Sequence, residues 1–223
     1  MTEHTYRSPI SDNAVERITD TWQSGGKQRA FYLIDGEEIG FRFWTASGVL
    51  TMEVGLQDGV KHGPYRTWHD NGQVEEESTY IVGKEHGITR QYDENGVQIG
   101  SYVMEHGTGL DLWYRAPEVL SESREYVDGD IHGYERWWHG GNQMVWQEGH
   151  FSKGIEHGIF RRWNQHGRLR RGNPQYYIKG KRVNKRQYER ACKSDPTLPP
   201  FVPDDNLAYR KLPNGVLPSR QAK

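Results

Sequence analysis

The sequence predicts an all-β fold, an elongated antiparallel single-sheet repeat of about seven stacked β-hairpins with short terminal helices. Three observations predict it. A glycine-bracketed cassette recurs as Gly59-Val60-Lys61-His62-Gly63, Gly83-Lys84-Glu85-His86-Gly87, Gly129-Asp130-Ile131-His132-Gly133 and Gly154-Ile155-Glu156-His157-Gly158. With looser copies at Gly36–Gly40, Glu105–Gly109 and Gly180–Asn184, the closing positions are 40, 63, 87, 109, 133, 158 and 184, a step of 22 to 26 residues. Self-similarity at such a period marks a repeat architecture. Hairpin signals and a periodic aromatic are the second and third observations.

One repeat shows the grammar. After Gly63, Pro64-Tyr65-Arg66-Thr67-Trp68 reads as a short aromatic strand. Asn71-Gly72 reads as a tight type I′ hairpin turn, which needs positive φ at both central residues. Gln73–Ile81 returns as a second strand, with Val74, Glu76, Ser78 and Tyr80 on one face by two-residue alternation. The strand-end aromatic recurs as Trp44, Trp68, Tyr92, Trp113 or Tyr114, Trp138 and Trp163. The hairpin glycine recurs as Gly48, Gly72, Gly96, Gly141 and Gly167. A second aromatic series, Tyr80, Tyr102, Tyr126, Phe151 and Tyr177, leads into each cassette, and the two series are expected to interleave into a continuous aromatic ladder.

The flanks complete the organisation. Residues 1–29 read as a helical or irregular cap, with Ser11-Asp12 before Val15, Ile18, Thr19 and Trp22 and with Gly25-Gly26 as the stop. Residues 30–184 are the hairpin repeats, and 185–192 a short capping helix with Asn184 as its N-cap. Residues 193–223 hold six of the ten prolines and are expected to be extended without regular hydrogen bonding, either pinned by Phe201 and Tyr209 or free to order on a partner. The cassette at Met104–Gly109 displaces its histidine, and Arg115-Ala116-Pro117-Glu118 replaces Asn-Gly, which predicts a longer or bulged turn.

This grammar resembles the MORN repeat family, in the variant common in bacterial proteins, with its Gly-x-x-His-Gly turn, aromatic strand and Asn-Gly hairpin. The resemblance covers about residues 34–192. It implies a repeat surface for recognition. Bacterial proteins similar to this variant are often labelled antitoxins or immunity proteins, and the family name also suggests lipid binding.

Composition fits a surface rather than an active site. Only 34% of residues are hydrophobic, while aromatics reach 12%. The single Cys192 excludes an internal disulfide and points to a reducing compartment, and the N-terminus opens no apolar run, so a cytoplasmic protein is expected. His62, His86, His132 and His157 lie in equivalent repeats, about 10 Å apart in a sheet of hairpins, too far apart to share a metal ion. No nucleophile–base pair and no phosphate-binding glycine loop is present, so no catalytic residue, metal or cofactor is assigned and a non-enzyme is expected.

Charge divides the chain. Residues 53–135 carry 17 acids against 6 bases, and residues 161–190 carry 11 bases against one acid. The acidic stretch suits a basic protein such as a toxin, with Glu75, Glu77, Asp93 and Glu94 as contact residues. The basic stretch (Arg161, Arg162, Arg168, Arg170, Arg171, Lys179, Lys181, Arg182) keeps an anionic lipid surface open as a second partner, which the acidic centre disfavours. A structural scaffold is a third reading. A nucleic-acid role is not expected, because Phe160, Trp163, Tyr176 and Tyr177 occupy repeat core positions.

Overall fold

A computed structural model describes residues 7–140 and 143–216. The hairpin glycine Gly141 and the end of the tail, 217–223, lie outside the described residues. The chain divides into two compact units, the first ending at His106 and the second beginning at Gly107. Both are built from antiparallel hairpins, as the repeat grammar predicts.

In the first unit the strands are β1 (Val15–Thr21), β2 (Lys27–Ile34), β3 (Glu37–Trp44), β4 (Leu50–Gln57), β5 (Val60–Trp68), β6 (Val74–Ile81), β7 (Lys84–Glu85), β8 (Gly87–Tyr92) and β9 (Gln98–Glu105). The segment expected to be helical is therefore β1, paired antiparallel with β2 from Val15↔Leu33 to Thr21↔Lys27. Val, Ile and Thr supply four of its seven residues, and their branched Cβ atoms favour a pleated strand over a short helix. Val15 and Ile18 are 68% and 48% exposed, so the start of the apolar stripe that suggested a helix stays at the surface. Gly25-Gly26 close a hairpin: Gly25 N–H donates to Trp22 O (2.8 Å) and Trp22 N–H to Gly26 O (2.8 Å). The repeats thus begin one hairpin earlier than residue 30, with Trp22 in the place of Trp44 and Trp68.

Two turn types alternate. The tight turn with positive φ at both residues is Asp58-Gly59 (φ 52° and 76°), which recurs as Asp35-Gly36, Val82-Gly83, Asp128-Gly129, Lys153-Gly154 and Lys179-Gly180. The first cassette glycine is the second residue of this turn, and Gly63 lies within β5, so the two glycines do not bracket one turn. Asn71-Gly72 is a different hairpin. Only Gly72 has positive φ (83°), Gly72 N–H donates to His69 O (2.9 Å) and His69 N–H to Gln73 O (2.8 Å). That is the three-residue loop closed by a left-handed glycine, which corrects the type I′ expectation.

The cassette histidine has a structural task. Its Nδ1 accepts the backbone N–H of the next tight turn: Val82 N to His62 (3.4 Å), His106 N to His86 (3.2 Å) and Lys179 N to His157 (3.1 Å). In the disturbed third cassette Thr108 Oγ1 takes over, accepting Asp128 N–H at 3.0 Å. The donor is an amide, because a tight turn leaves its first N–H pointing back at the preceding repeat.

The second unit contains β10 (Thr108–Ala116), β11 (Val119–Val127), β12 (Asp130–Trp138), β13 (Val145–Ser152), β14 (Ile155–Glu156), β15 (Gly158–Arg162), β16 (Gln175–Ile178) and β17 (Lys181–Val183), then α1 (Lys185–Ala191). The β10–β11 connection is a tight Pro117-Glu118 turn (Glu118 φ 60°) flanked by register shifts at Tyr114 and Ala116, bulged but not long. Asn184 caps α1 through a capping box with Gln187. The helix packs on a sheet face rather than an edge: Tyr188 is buried with Ile159, Tyr176 and Leu198.

The tail follows this face. Phe201 packs near Tyr176, a 3₁₀ turn forms at Pro203–Asn206, and Tyr209 bridges Met144. Tyr209 is 66% exposed, so its backbone and not its ring does the pinning, while Ala208 and Leu212 are buried. The tail is therefore neither wholly extended nor free of regular bonding up to 216. The rings stack in short runs, such as Phe31–Phe41–Phe43 and Phe151–Phe160–Tyr177.

Candidate partner-binding site

One face of the hairpins carries a cross-strand charge ladder. In the first unit Arg42 opposes Glu53, Glu53 opposes Arg66, Arg66 opposes Glu77 and Glu77 opposes Arg90. In the second, Arg136 opposes Glu148 and Glu148 opposes Arg161. Directly opposed side chains of opposite charge are the favourable sheet pairing. Arg42, Arg66 and Arg90 recur every 24 residues, a signal in the sequence that the aromatic series masked.

This ladder decides the fate of the predicted contact residues. Glu77 is half-buried, ion-paired with Arg66 and accepting the Tyr92 hydroxyl at 3.0 Å. Asp93 caps its own turn, accepting the N–H groups of Asn95 and Val97 (both 2.9 Å), and these backbone bonds hold its carboxyl below the usual range. Glu94 is exposed at the same turn, with its carbonyl taken by Asn71 Nδ2 (2.7 Å). Glu75 is displaced from the ladder, because the register shift between Thr67 and Trp68 leaves it without an opposite residue. Its carboxylate accepts the Thr67 hydroxyl at 3.1 Å. Glu75 and Glu77 thus lie on β6, and Asp93 and Glu94 at the turn between β8 and β9.

Glu75 does lie at a groove. An open slot of about 580 Å³ sits between the strand ends of the first unit, walled by Trp22, Phe43, Trp44, Met52 and Trp68 with Glu75 at its side. The equivalent slot of the second unit, about 310 Å³, lies between Trp138 and Trp163 and is lined also by Trp146, Arg115 and Arg170. Trp146 occupies the position of Glu75: both are skipped by the register shift before the strand-end tryptophan.

One wall of the second slot, Trp163, is covered by the tail of its own chain. Trp163 is fully buried, and its indole N–H donates to Asn206 O (2.7 Å) in the tail. Arg210 of the tail lies over the Trp163 ring (5.3 Å) and grips Glu148 with two bonds, Nε at 2.8 Å and Nη2 at 2.9 Å. Glu148 also holds Arg136 (2.8 Å) and Arg161 (3.2 Å). Burial alone would raise its carboxyl, but Arg210 and Arg136 outweigh that and hold it below the ordinary carboxylate range. Trp44 packs against the cluster of Ile10, Ala30 and Tyr32, and both it and Trp68 remain partly exposed.

A second acidic group lies on the other face of the second unit. Arg124 meets Asp111 (3.5 Å), Glu135 (3.2 Å) and Glu122. Burial pushes Glu122 up to about 7, with Arg124 opposing and Glu135 and Asp111 adding to the rise.

Sequence reasoning named Glu75 but not its tryptophan walls, which were assigned to the core. The signal was present: Trp22, Trp44 and Trp68 keep the repeat step.

Among the described residues no helix is long and apolar enough to cross a membrane. The comparison with curated proteins gives no match. The family model described as MORN repeat variant matches residues 61–81, the β5–β6 hairpin that supplies Trp68, the Asn71-Gly72 turn and Glu75. The hairpin at the heart of the open slot thus matches the MORN repeat variant, and the other hairpins repeat its turn and strand pattern.

Proposed function

We propose that this chain is a non-enzymatic protein-binding module that captures a basic partner, acting in the cytoplasm as an antitoxin or immunity protein. The open aromatic slot with its acidic residue Glu75 carries the reading. Exposed aromatic anchors dominate binding energy at interfaces, and a surplus of 17 acids over 6 bases across residues 53–135 would steer a basic protein to it. The test is co-expression with the product of the neighbouring gene. Co-purification and rescue of cells from that product support the reading; neither complex nor rescue overturns it.

The bases of 161–190 favour a second reading. Arg162, Arg168, Arg171, Lys179, Lys181 and Arg182 are exposed, whereas Arg161 is buried on Glu148. Such a patch suits anionic headgroups. Sedimentation with anionic and with neutral vesicles separates the two, since only anionic pelleting supports the lipid surface.

A further inference from the structure

We propose that the slot between Trp44 and Trp68 is a recognition pocket for an arginine side chain carried by the partner protein. This rests on the protein-binding reading and names the chemistry of its contact.

The molecule shows what such a slot holds. In the second unit two arginines of the chain itself stand at the rim of the equivalent slot. Arg115 extends over Gly140, its guanidinium lying where a Cβ at that position would stand, and Arg170 Nε donates to Trp163 O (3.1 Å). Both line the slot beside Trp138 and Trp163. In the first unit the same two tryptophan positions are present, and no lysine or arginine is among the lining residues. The arginines are absent from the first slot, the two tryptophan positions are kept, and Glu75 stands where the second slot has Trp146.

Charge points the same way. Cations already stack on the slot's aromatic rings: Lys27 over Trp44 (4.8 Å), Arg29 over Phe43 (5.8 Å) and Arg66 over Trp68 (5.8 Å). Each is matched by its own carboxylate, Glu16, Asp20 and Glu77 respectively. Those pairs are neutral, which leaves Glu75. Its carboxylate receives the Thr67 hydroxyl and forms no ion pair among the described residues. A planar guanidinium can lie on the indoles and present its N–H fork to this carboxylate, whereas a lysine ammonium offers neither the flat stacking face nor the fork.

The test is an NMR titration of the full chain, read at the indole N–H signals, with acetyl-Gly-Arg-Gly-amide and its lysine and norleucine counterparts. The arginine peptide should shift Trp44 and Trp68 saturably, and the norleucine peptide should not. Glu75→Gln, which can still accept the Thr67 hydroxyl, should weaken arginine binding by about fivefold or more. Equal shifts with norleucine, or shifts confined to Trp138 and Trp163, overturn the assignment without recourse to any variant. Unchanged affinity in a folded Glu75→Gln overturns it as well. The outcomes also separate the two proposals. If the neighbouring product is captured equally by wild type and Glu75→Gln, the pocket falls and the protein-binding reading stands. If the peptide binds and no partner is captured, the reverse holds.

Discussion

The two units use one hairpin grammar and finish it differently. In the second, the strand-end tryptophans Trp138 and Trp163 are 3% and 0% exposed, sealed where the tail crosses and Arg210 reaches Glu148. In the first, Trp22, Trp44 and Trp68 stand half-exposed around an open slot. The repeat itself therefore does not decide whether its aromatic row is core or surface. Non-local segments decide it: the tail buries Trp163, whereas the N-terminal segment packs on Trp44 and leaves it partly exposed beside Trp68.

The largest expected effect breaks the sealed end. Glu148 is 1% exposed and shared by Arg136, Arg161 and Arg210. Glu148→Ala leaves these guanidinium groups without their common carboxylate and should cost about 3–5 kcal/mol in chemical denaturation. Next is Arg210→Ala, which removes the tail's grip and should cost about 2–3 kcal/mol, with red-shifted tryptophan emission as Trp163 meets water.

Glu122 gives a pH-dependent test. Its folded carboxyl titrates near 7, above its ordinary 4.5, so its contribution to stability is complete below about 4.5 and is lost as pH rises through about 7. Glu122→Gln should match wild type near pH 4 and exceed it at pH 8 by about 1–3 kcal/mol. A variant less stable than wild type at pH 8 would contradict the burial argument. The smallest effect concerns a brace. His62→Ala removes the acceptor for Val82 N–H at an exposed turn and should cost about 1 kcal/mol or less by thermal unfolding.

Much of this was legible in the sequence, and the failures have physical causes. The strands, the spacing of the tight turns and the Asn184 cap follow from local rules: positive φ at Asp58-Gly59, alternation in β6, and a capping box. The N-terminal strand was misread because Ser11-Asp12 and the Val15/Ile18/Trp22 spacing imitate a helix start. An unfilled sheet edge and four β-branched residues override them. The Asn71-Gly72 turn was misassigned because its dipeptide serves both a two-residue and a three-residue loop, and the strand register chooses. Register also separated Glu75 from Glu77: one residue skipped at Trp68 frees the first while the second pairs with Arg66. The path of the tail, and hence the contrast between the slots, depends on contacts such as Arg210 with Glu148, 62 residues apart, which no local pattern announces.

The contrast between open and sealed slots is tested most directly by indole N–H solvent exchange in the intact chain, with each tryptophan assigned. Trp163, bonded to Asn206 O at 2.7 Å, should exchange at least tenfold more slowly than Trp68. Equal exchange at Trp163 and Trp68 would contradict the account, because the tail would then not cover Trp163.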